Sequence, residues 1–261
     1  MVNQLKLKIL KKMIIKSNIK TTAFLVLISV FFSCKRDDKV NILRDYFPDD
    51  KIESEYEYII KGRDTILEGK FVSYYEKGGK KSEGNYVNNH LKGKFISYFE
   101  NGNIQVKHYV LNSKVNLESI WNYPDGKIER YILADDYGSA SFIVKFDKTG
   151  AVESSQGMPV FEFYHYKKEN KKTLNVGDLL RYKYMVANIP NSKRKLTITL
   201  EDFDNKQIVR KMTNREPTII EVEEVVVKKG HNTIKAKLEI EFNDKFKTMI
   251  KDSISFDFYV N

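Results

Sequence analysis

Four histidines, His90, His108, His165 and His231, are the side chains best placed by type to hold a metal or move a proton near neutrality, but none stands at metal-ligand spacing from another histidine or from the single cysteine. Solvated or turn histidines are expected. Asp202, Asp204 and Asn205 begin like a calcium loop, yet the Gly and the distal Glu that close such a loop do not follow, which leaves a hairpin turn. Glu223-Glu224 and Asp135-Asp136 are adjacent pairs, and adjacent positions do not share a strand face, so they suit solvent or a linker better than acid–base work. No nucleophile elbow, phosphate-binding loop or dinucleotide fingerprint occurs. The expectation is a chain with no catalytic residues, no metal and no cofactor, although sequence leaves open a split site assembled from distant residues. The remaining chemistry is aromatic. Tyr74, Tyr75, Tyr98, Phe99, Trp121 and Tyr123 offer broad rigid area to a sugar ring or peptide plane, and Lys70, Lys80 and Lys94 add cations at its rim. The competing reading makes these aromatics core, and their alternation beside turns favours it. Neighbours such as Tyr74 and Tyr75, or Tyr98 and Phe99, must point to opposite faces of a strand.

Cys34 stands alone in the chain, so it forms no intramolecular disulfide. Before it, residues 1–20 are basic and residues 21–33 (TTAFLVLISVFFS) are apolar. That run falls short of the roughly 20 apolar residues a spanning helix needs and follows the plan of a secretory signal. Six of the chain's 45 basic residues, Lys6, Lys8, Lys11, Lys12, Lys16 and Lys20, lie in this segment with no acid among them; without them 39 basic residues face 35 acidic ones. The formal charge of +10 is therefore mostly an address, and no nucleic-acid partner is expected. The placement of Cys34 resembles the lipobox of bacterial lipoproteins, with Ser33 matching the small residue before the cysteine and Phe31 and Phe32 bulkier than the pattern. The resemblance implies that residues 1–33 are removed, that Cys34 carries the lipid, and that the membrane is the first partner. Lys35-Arg36-Asp37-Asp38-Lys39 looks like the charged tether of Bacteroidota surface lipoproteins, and residues 34–44 are read as a polar spacer. An outer-membrane location, facing either the cell surface or the periplasm, is what this implies.

Self-comparison exposes a repeat. Tyr46-Phe47-Pro48-Asp49-Asp50-Lys51-Ile52-Glu53, Tyr74-Tyr75-Glu76-Lys77-Gly78-Gly79-Lys80-Lys81, Tyr98-Phe99-Glu100-Asn101-Gly102-Asn103-Ile104-Gln105 and Asn122-Tyr123-Pro124-Asp125-Gly126-Lys127-Ile128-Glu129 are one motif. Leu67-Glu68-Gly69-Lys70-Phe71 and Leu91-Lys92-Gly93-Lys94-Phe95 recur between them, and Gly78, Gly102 and Gly126 are 24 residues apart. Each unit reads as an aromatic strand, a tight turn requiring positive φ, and a return strand ending at Tyr56, Tyr86 or Tyr109. Two short strands bury no face alone, so the units are expected to stack into a continuous twisted sheet or a β-solenoid over residues 45–132. This pattern resembles the MORN-type repeats of the YwqK-like group, often labelled an antitoxin family. The third unit departs from it, with Asn116-Leu117-Glu118-Ser119 where Gly93-Lys94-Phe95 would fall and Trp121 close by, as expected of a repeat that caps the array against another domain.

From 139 to 261 the spacing lengthens. Ile234, Ala236, Leu238, Ile240 and Phe242 alternate with Lys235, Lys237, Glu239 and Glu241, and Ile254, Phe256, Phe258 and Val260 repeat the pattern. Further strands are expected at 139–146, 160–166, 179–187, 195–201, 206–212 and 218–227, with turns such as Asp147-Lys148-Thr149-Gly150 between. About eight strands over this length match an immunoglobulin-like β-sandwich in count and spacing, without its Cys pair or diagnostic Trp. The fold expected is all-β, a hairpin-repeat array followed by a sandwich.

Two functions follow. One is a non-enzymatic, lipid-anchored cell-envelope protein that binds a protein or glycan. The other is an envelope enzyme or accessory factor with a site between the modules, which facing acids of raised pKa would mark. An antitoxin or immunity role is implied by the repeat label alone, and export would place the protein beyond a cytoplasmic toxin's reach.

Overall fold

The computed structural model describes residues 39–112, 115–162 and 174–261. Cys34, the first tether residues and His165 lie outside them. Val40–Asn261 forms one compact unit of three antiparallel sheets.

The largest sheet is a meander of eleven strands: β1 (Asn41–Tyr46), β2 (Ile52–Lys61), β3 (Asp64–Tyr74), β4 (Lys80–Val87), the two-residue β5 (His90–Leu91), β6 (Gly93–Tyr98), β7 (Ile104–Asn112), β8 (Val115–Asn122), β9 (Ile128–Ala134), β10 (Ala140–Phe146) and β11 (Val152–Gly157). Strands pair in chain order, β5 alone branching from β4. The repeats therefore build a continuous sheet and not a solenoid. Its geometry is set by one turn used again and again along the same edge. The backbone N–H of Phe47, Tyr75, Phe99, Tyr123 and Asp147 donates to the carbonyl four residues on, and the N–H of Asp50, Gly78, Gly102, Gly126 and Gly150 donates back, all at 2.8–3.1 Å. The fourth residue of each turn has φ between 62° and 91° and is followed by a bulge in the pairing. Glycine fills it in four turns, and Asp50, one of the residues that tolerates this region, fills it in the first.

The expected boundary at 132–139 is not where the sheets divide. The turn at 147–151 keeps the 24-residue spacing from Gly126 to Gly150, and β10 and β11 extend the meander to Gly157. There the chain leaves for the sandwich. A Cβ at Gly157, at φ 91°, would collide with the carbonyl oxygen of Ser141, which already accepts the Met158 N–H at 2.8 Å, so this crossing admits only glycine.

The seven remaining strands are β12 (Val160–Glu162), β13 (Leu179–Val186), β14 (Ser192–Leu200), β15 (Arg210–Glu216), β16 (Ile219–Val225), β17 (Gly230–Phe242) and β18 (Met249–Val260). One sheet runs β12-β13-β16-β15 and the other β14-β17-β18. Counted from β12, this is the order first-second-fifth-fourth facing third-sixth-seventh, the arrangement of a seven-stranded immunoglobulin-type sandwich. Alternation in β17 places Ile234, Ala236, Leu238, Ile240 and Phe242 inside, each 2% exposed or less. Tyr182 of β13 meets Phe256 of β18 across the interior at 5.1 Å between ring centroids, and its hydroxyl donates to Glu224, which also accepts from Arg210.

A single core joins the sandwich to one end of the meander. Leu117, Tyr131, Leu133, Phe142, Val144 and Phe146, from β8 to β10, pack in the same cluster as the sandwich interior. The atypical third repeat sits at this junction. Leu117 and Glu118 stand together opposite Tyr109 at a bulge, which turns both toward the sandwich and buries them.

Candidate functional site

Strands β1 to β7 lie beyond that junction. Of their residues only Tyr109 and Leu111 touch the shared core, so this part of the sheet has two faces with no layer packed on them among the described residues. On the free rim Ile42, Leu43 and Tyr46 of β1 are about half exposed.

Register sorts the side chains. Phe71 pairs with Tyr56, and Phe95 with His108, so these share one face. Their rings form two groups on that face: Tyr56 to Phe71 at 4.9 Å and Phe71 to Tyr86 at 5.9 Å, then Phe95 to His108 at 6.2 Å and His108 to Trp121 at 5.9 Å. Arg130 caps the second group, its guanidinium 4.7 Å from the Trp121 ring centre. His108 Nδ1 lies 2.7 Å from Ser119 Oγ, and burial lowers the imidazole's pKa, so it is neutral at pH 7. All these rings are half-buried by their neighbours' flanks and present edges or faces outward.

The opposite face, toward the sandwich, holds a groove. Its inner part, about 340 Å³, is lined by Lys94, Ile96, Lys107, Tyr109, Glu118 and Ile120 and ends against Asn188 and Pro217 of the sandwich. An outer stretch of about 210 Å³ continues over Lys70, Val72, Glu83 and Asn85 and shares Lys94 and Ile96 with it. The acids here are already engaged. Glu83 is held by Lys80 at 2.8 Å and by the Tyr98 hydroxyl at 2.5 Å, which keeps its pKa low while burial pushes Tyr98 up to about 12. Tyr109 donates to Glu216 and is pushed up to about 12 by burial and that contact. Glu118, 7% exposed, is raised to about 7 by burial, against the opposing pull of the Tyr131 hydroxyl, Arg194 and Lys94. Tyr131 donates to Glu118 at 3.2 Å and accepts from the Asn188 N–H at 2.9 Å, so this chain of bonds ties the sheet to the sandwich.

The six aromatics singled out from sequence do not gather into one site. Tyr74 and Tyr98 lie on the groove side with their hydroxyls on Glu55 and Glu83. Tyr75 and Tyr123 act as struts between successive turns, their hydroxyls donating to the carbonyls of Tyr98 at 2.5 Å and Phe146 at 3.0 Å. Phe99 opens its turn half-buried, and Trp121 joins the second ring group. The remaining ring residues, Tyr56, Phe71, Tyr86, Phe95 and His108, were not among the candidates. The recurring Gly69-Lys70-Phe71 and Gly93-Lys94-Phe95 were the signal for two of them, since the same offset in each repeat returns a residue to the same face. Among the other candidates for chemistry, Asp204 caps a short 3-10 turn and Asn205 folds back onto Leu200, while Glu223 and Glu224 pair with Arg181 and Arg210. Among the described residues no three His, Cys, Asp or Glu side chains cluster as metal ligands, and no helix is long and apolar enough to cross a membrane.

The fold is an all-β scaffold in which part of the repeat sheet leaves its faces open, and its repeats are of a kind that suggests a binding or interaction module. Within it, residues 67–88 and 91–112 match the family described as a MORN repeat variant, each match covering a strand, its turn at 75–79 or 99–103 and the return strand. No curated protein matches the chain. Among solved structures, a point mutant of S. aureus TarM in complex with fondaparinux, α-GlcNAc-glycerol and UDP is 11% identical over 51% of this chain and 22% of that one, at a TM-score of 0.23. A second TarM structure is 10% identical over 50% and 22%, at 0.22. The chain thus spans about a fifth of those proteins, at a similarity that carries no argument about its fold or activity.

Proposed function

We propose that this chain is a non-enzymatic, lipid-anchored cell-envelope protein that binds another envelope component through the open part of its repeat sheet. The observation that supports it is the stretch β1–β7, where half-buried rings and unpaired cations line two faces that bury no core of their own. A sheet gains little stability from a face it leaves in water, and half-exposed rings grouped on such a face suit an interaction surface. The anchor and the bacterial lipoprotein reading rest on Cys34 behind its basic and apolar segments, and the YwqK-like grouping rests on the repeat motif of residues 45–132. Metabolic labelling with a fatty-acid probe tests the anchor: wild type takes the label and Cys34→Ser does not, whereas equal labelling refutes it. Capture from intact cells tests the surface. Phe71→Ser with Phe95→Ser should abolish capture of the wild-type partner while circular dichroism stays unchanged, and retained capture would refute the ring face.

A second reading, an envelope enzyme with its site between sheet and sandwich, draws on Glu118, a buried carboxyl whose pKa of about 7 suits proton transfer. It is the weaker one because, among the described residues, Glu118 is the one carboxylate lining the inner groove, and glycoside hydrolysis asks for two. Turnover of a polysaccharide panel that vanished in Glu118→Gln would favour it.

A further inference from the structure

We infer that the groove between the repeat sheet and the sandwich is a binding site for an anionic oligosaccharide, with Lys70, Lys94 and Lys107 as its acid-group contacts. This rests on the reading of the repeat sheet as a binding surface and names the ligand class for its second face.

Charge decides the sign of the ligand. Lys70, Lys94 and Lys107 are exposed, line the groove, and make no salt bridge among the described residues. Some lysines elsewhere are held by acids, Lys51 by Asp49, Lys183 by Glu221 and Lys251 by Glu239, whereas these three stand together on one face of the sheet without such a pairing. The groove's own carboxylates do not offset the three cations. Glu83 is already neutralised by Lys80, and Glu118, which feels the charge of Lys94, offsets at most one of the three. The field in the groove is therefore positive, inside a chain whose other faces are mixed.

Backbone geometry decides the kind of ligand. The groove crosses the strands in mid-sheet, where β3 pairs with β4, β6 pairs with β7, and β4 joins β6 through the pairs Ser82 with Ser97 and Glu83 with Ile96, so no strand beneath it is an outer edge of the sheet for a peptide to extend. Recognition falls to side chains alone. Val72, Ile96 and Ile120 supply an apolar floor against which the C–H face of a pyranose packs, and Asn85, Tyr109 and Asn188 are spaced along it to meet hydroxyls. Lys70 and Lys94 stand on β3 and β6, two strand spacings apart in the sheet, about 10 Å. That interval is the reach of a sugar chain carrying an acid on alternate residues, and Lys107 on the next strand extends the row toward the sandwich wall.

Isothermal titration of the detergent-solubilised full chain tests the inference, with tetragalacturonic acid, neutral maltotetraose and a tetraglutamate peptide as probes. The acidic sugar should bind, weaken as salt is raised, and lose at least tenfold in affinity in Lys94→Ala/Lys107→Ala; Lys94→Arg/Lys107→Arg, which keeps the charge, should retain most of it. The sandwich-surface variant Lys211→Ala should bind as wild type. Equal binding of maltotetraose, binding of tetraglutamate as tight as the sugar, absence of binding by the acidic sugar, or an alanine pair indistinguishable from wild type would each overturn the inference. The broader reading is separable: if the Phe71→Ser/Phe95→Ser variant loses cellular capture while the lysine pair changes nothing, the groove assignment falls and the repeat sheet stands as the binding surface; if neither variant changes capture, both fall.

Discussion

The two ends of the eleven-stranded sheet are made from the same repeat and stabilised by different means. From β8 to β10 one face is sealed against the sandwich, and Leu117, Tyr131, Leu133 and Val144 are fully buried there. From β1 to β7 the strands hold one another through ladders, bulged turns and cross-strand ring pairs, and the buried apolar residues dwindle to Ile59, Val106 and Val110. The docked end is a layer in an ordinary core. The free end spends its large side chains on surface, which is the behaviour of a platform. Between them sits the third repeat, whose sequence changed where its environment did.

This contrast predicts unequal responses to similar substitutions. Leu133→Ala, in the shared core, should cost about 3 to 5 kcal/mol, whereas Ile96→Ala on the free end should cost about 1 kcal/mol or less, both read from denaturant midpoints. Equal losses would mean that the free end is covered after all. Gly157→Val, at the crossing from sheet to sandwich, should cost about 3 kcal/mol because it adds a collision with Ser141 to a left-handed backbone. Gly102→Val meets nothing within 4 Å and pays only the backbone strain, so about 1 to 2 kcal/mol is expected.

Glu118 makes the junction sensitive to pH. Its carboxyl is raised from 4.5 to about 7, so across that interval the folded protein holds a proton the unfolded chain has released. Stability is therefore highest below the interval, falls as pH rises through it, and levels off above, by at most about 3 kcal/mol. Thermal melts between pH 4.5 and 8 should show this slope in wild type and lose it in Glu118→Gln. A slope unchanged by that substitution would place the titrating group elsewhere.

Much of this architecture is legible in the residues. The 24-residue spacing of Gly78, Gly102 and Gly126 locates the turns, and seven of the eight strands expected after 139 form the sandwich. The strand expected at 139–146 reads as part of the sandwich but pairs in the meander, because alternation reports a half-buried strand without naming its neighbour; the further step to Gly150 is the clue in the sequence. The site was less legible. Single aromatics beside turns drew attention, but Tyr74, Tyr75, Tyr98 and Tyr123 use their hydroxyls to brace the sheet. Ring rows and lysine rows are made by register between strands, and register is a property of pairing that no single strand displays.

The central claim, that the free end of the repeat sheet is the working surface, is most directly tested by site-specific photo-crosslinking in intact cells. A photoreactive phenylalanine analogue at Phe95, in the second ring group, is compared with one at Phe246, an exposed residue of the sandwich loop between β17 and β18. A discrete crosslinked species is expected from position 95 and none from position 246. A discrete adduct from position 246 with none from position 95 would contradict it and assign binding to the sandwich.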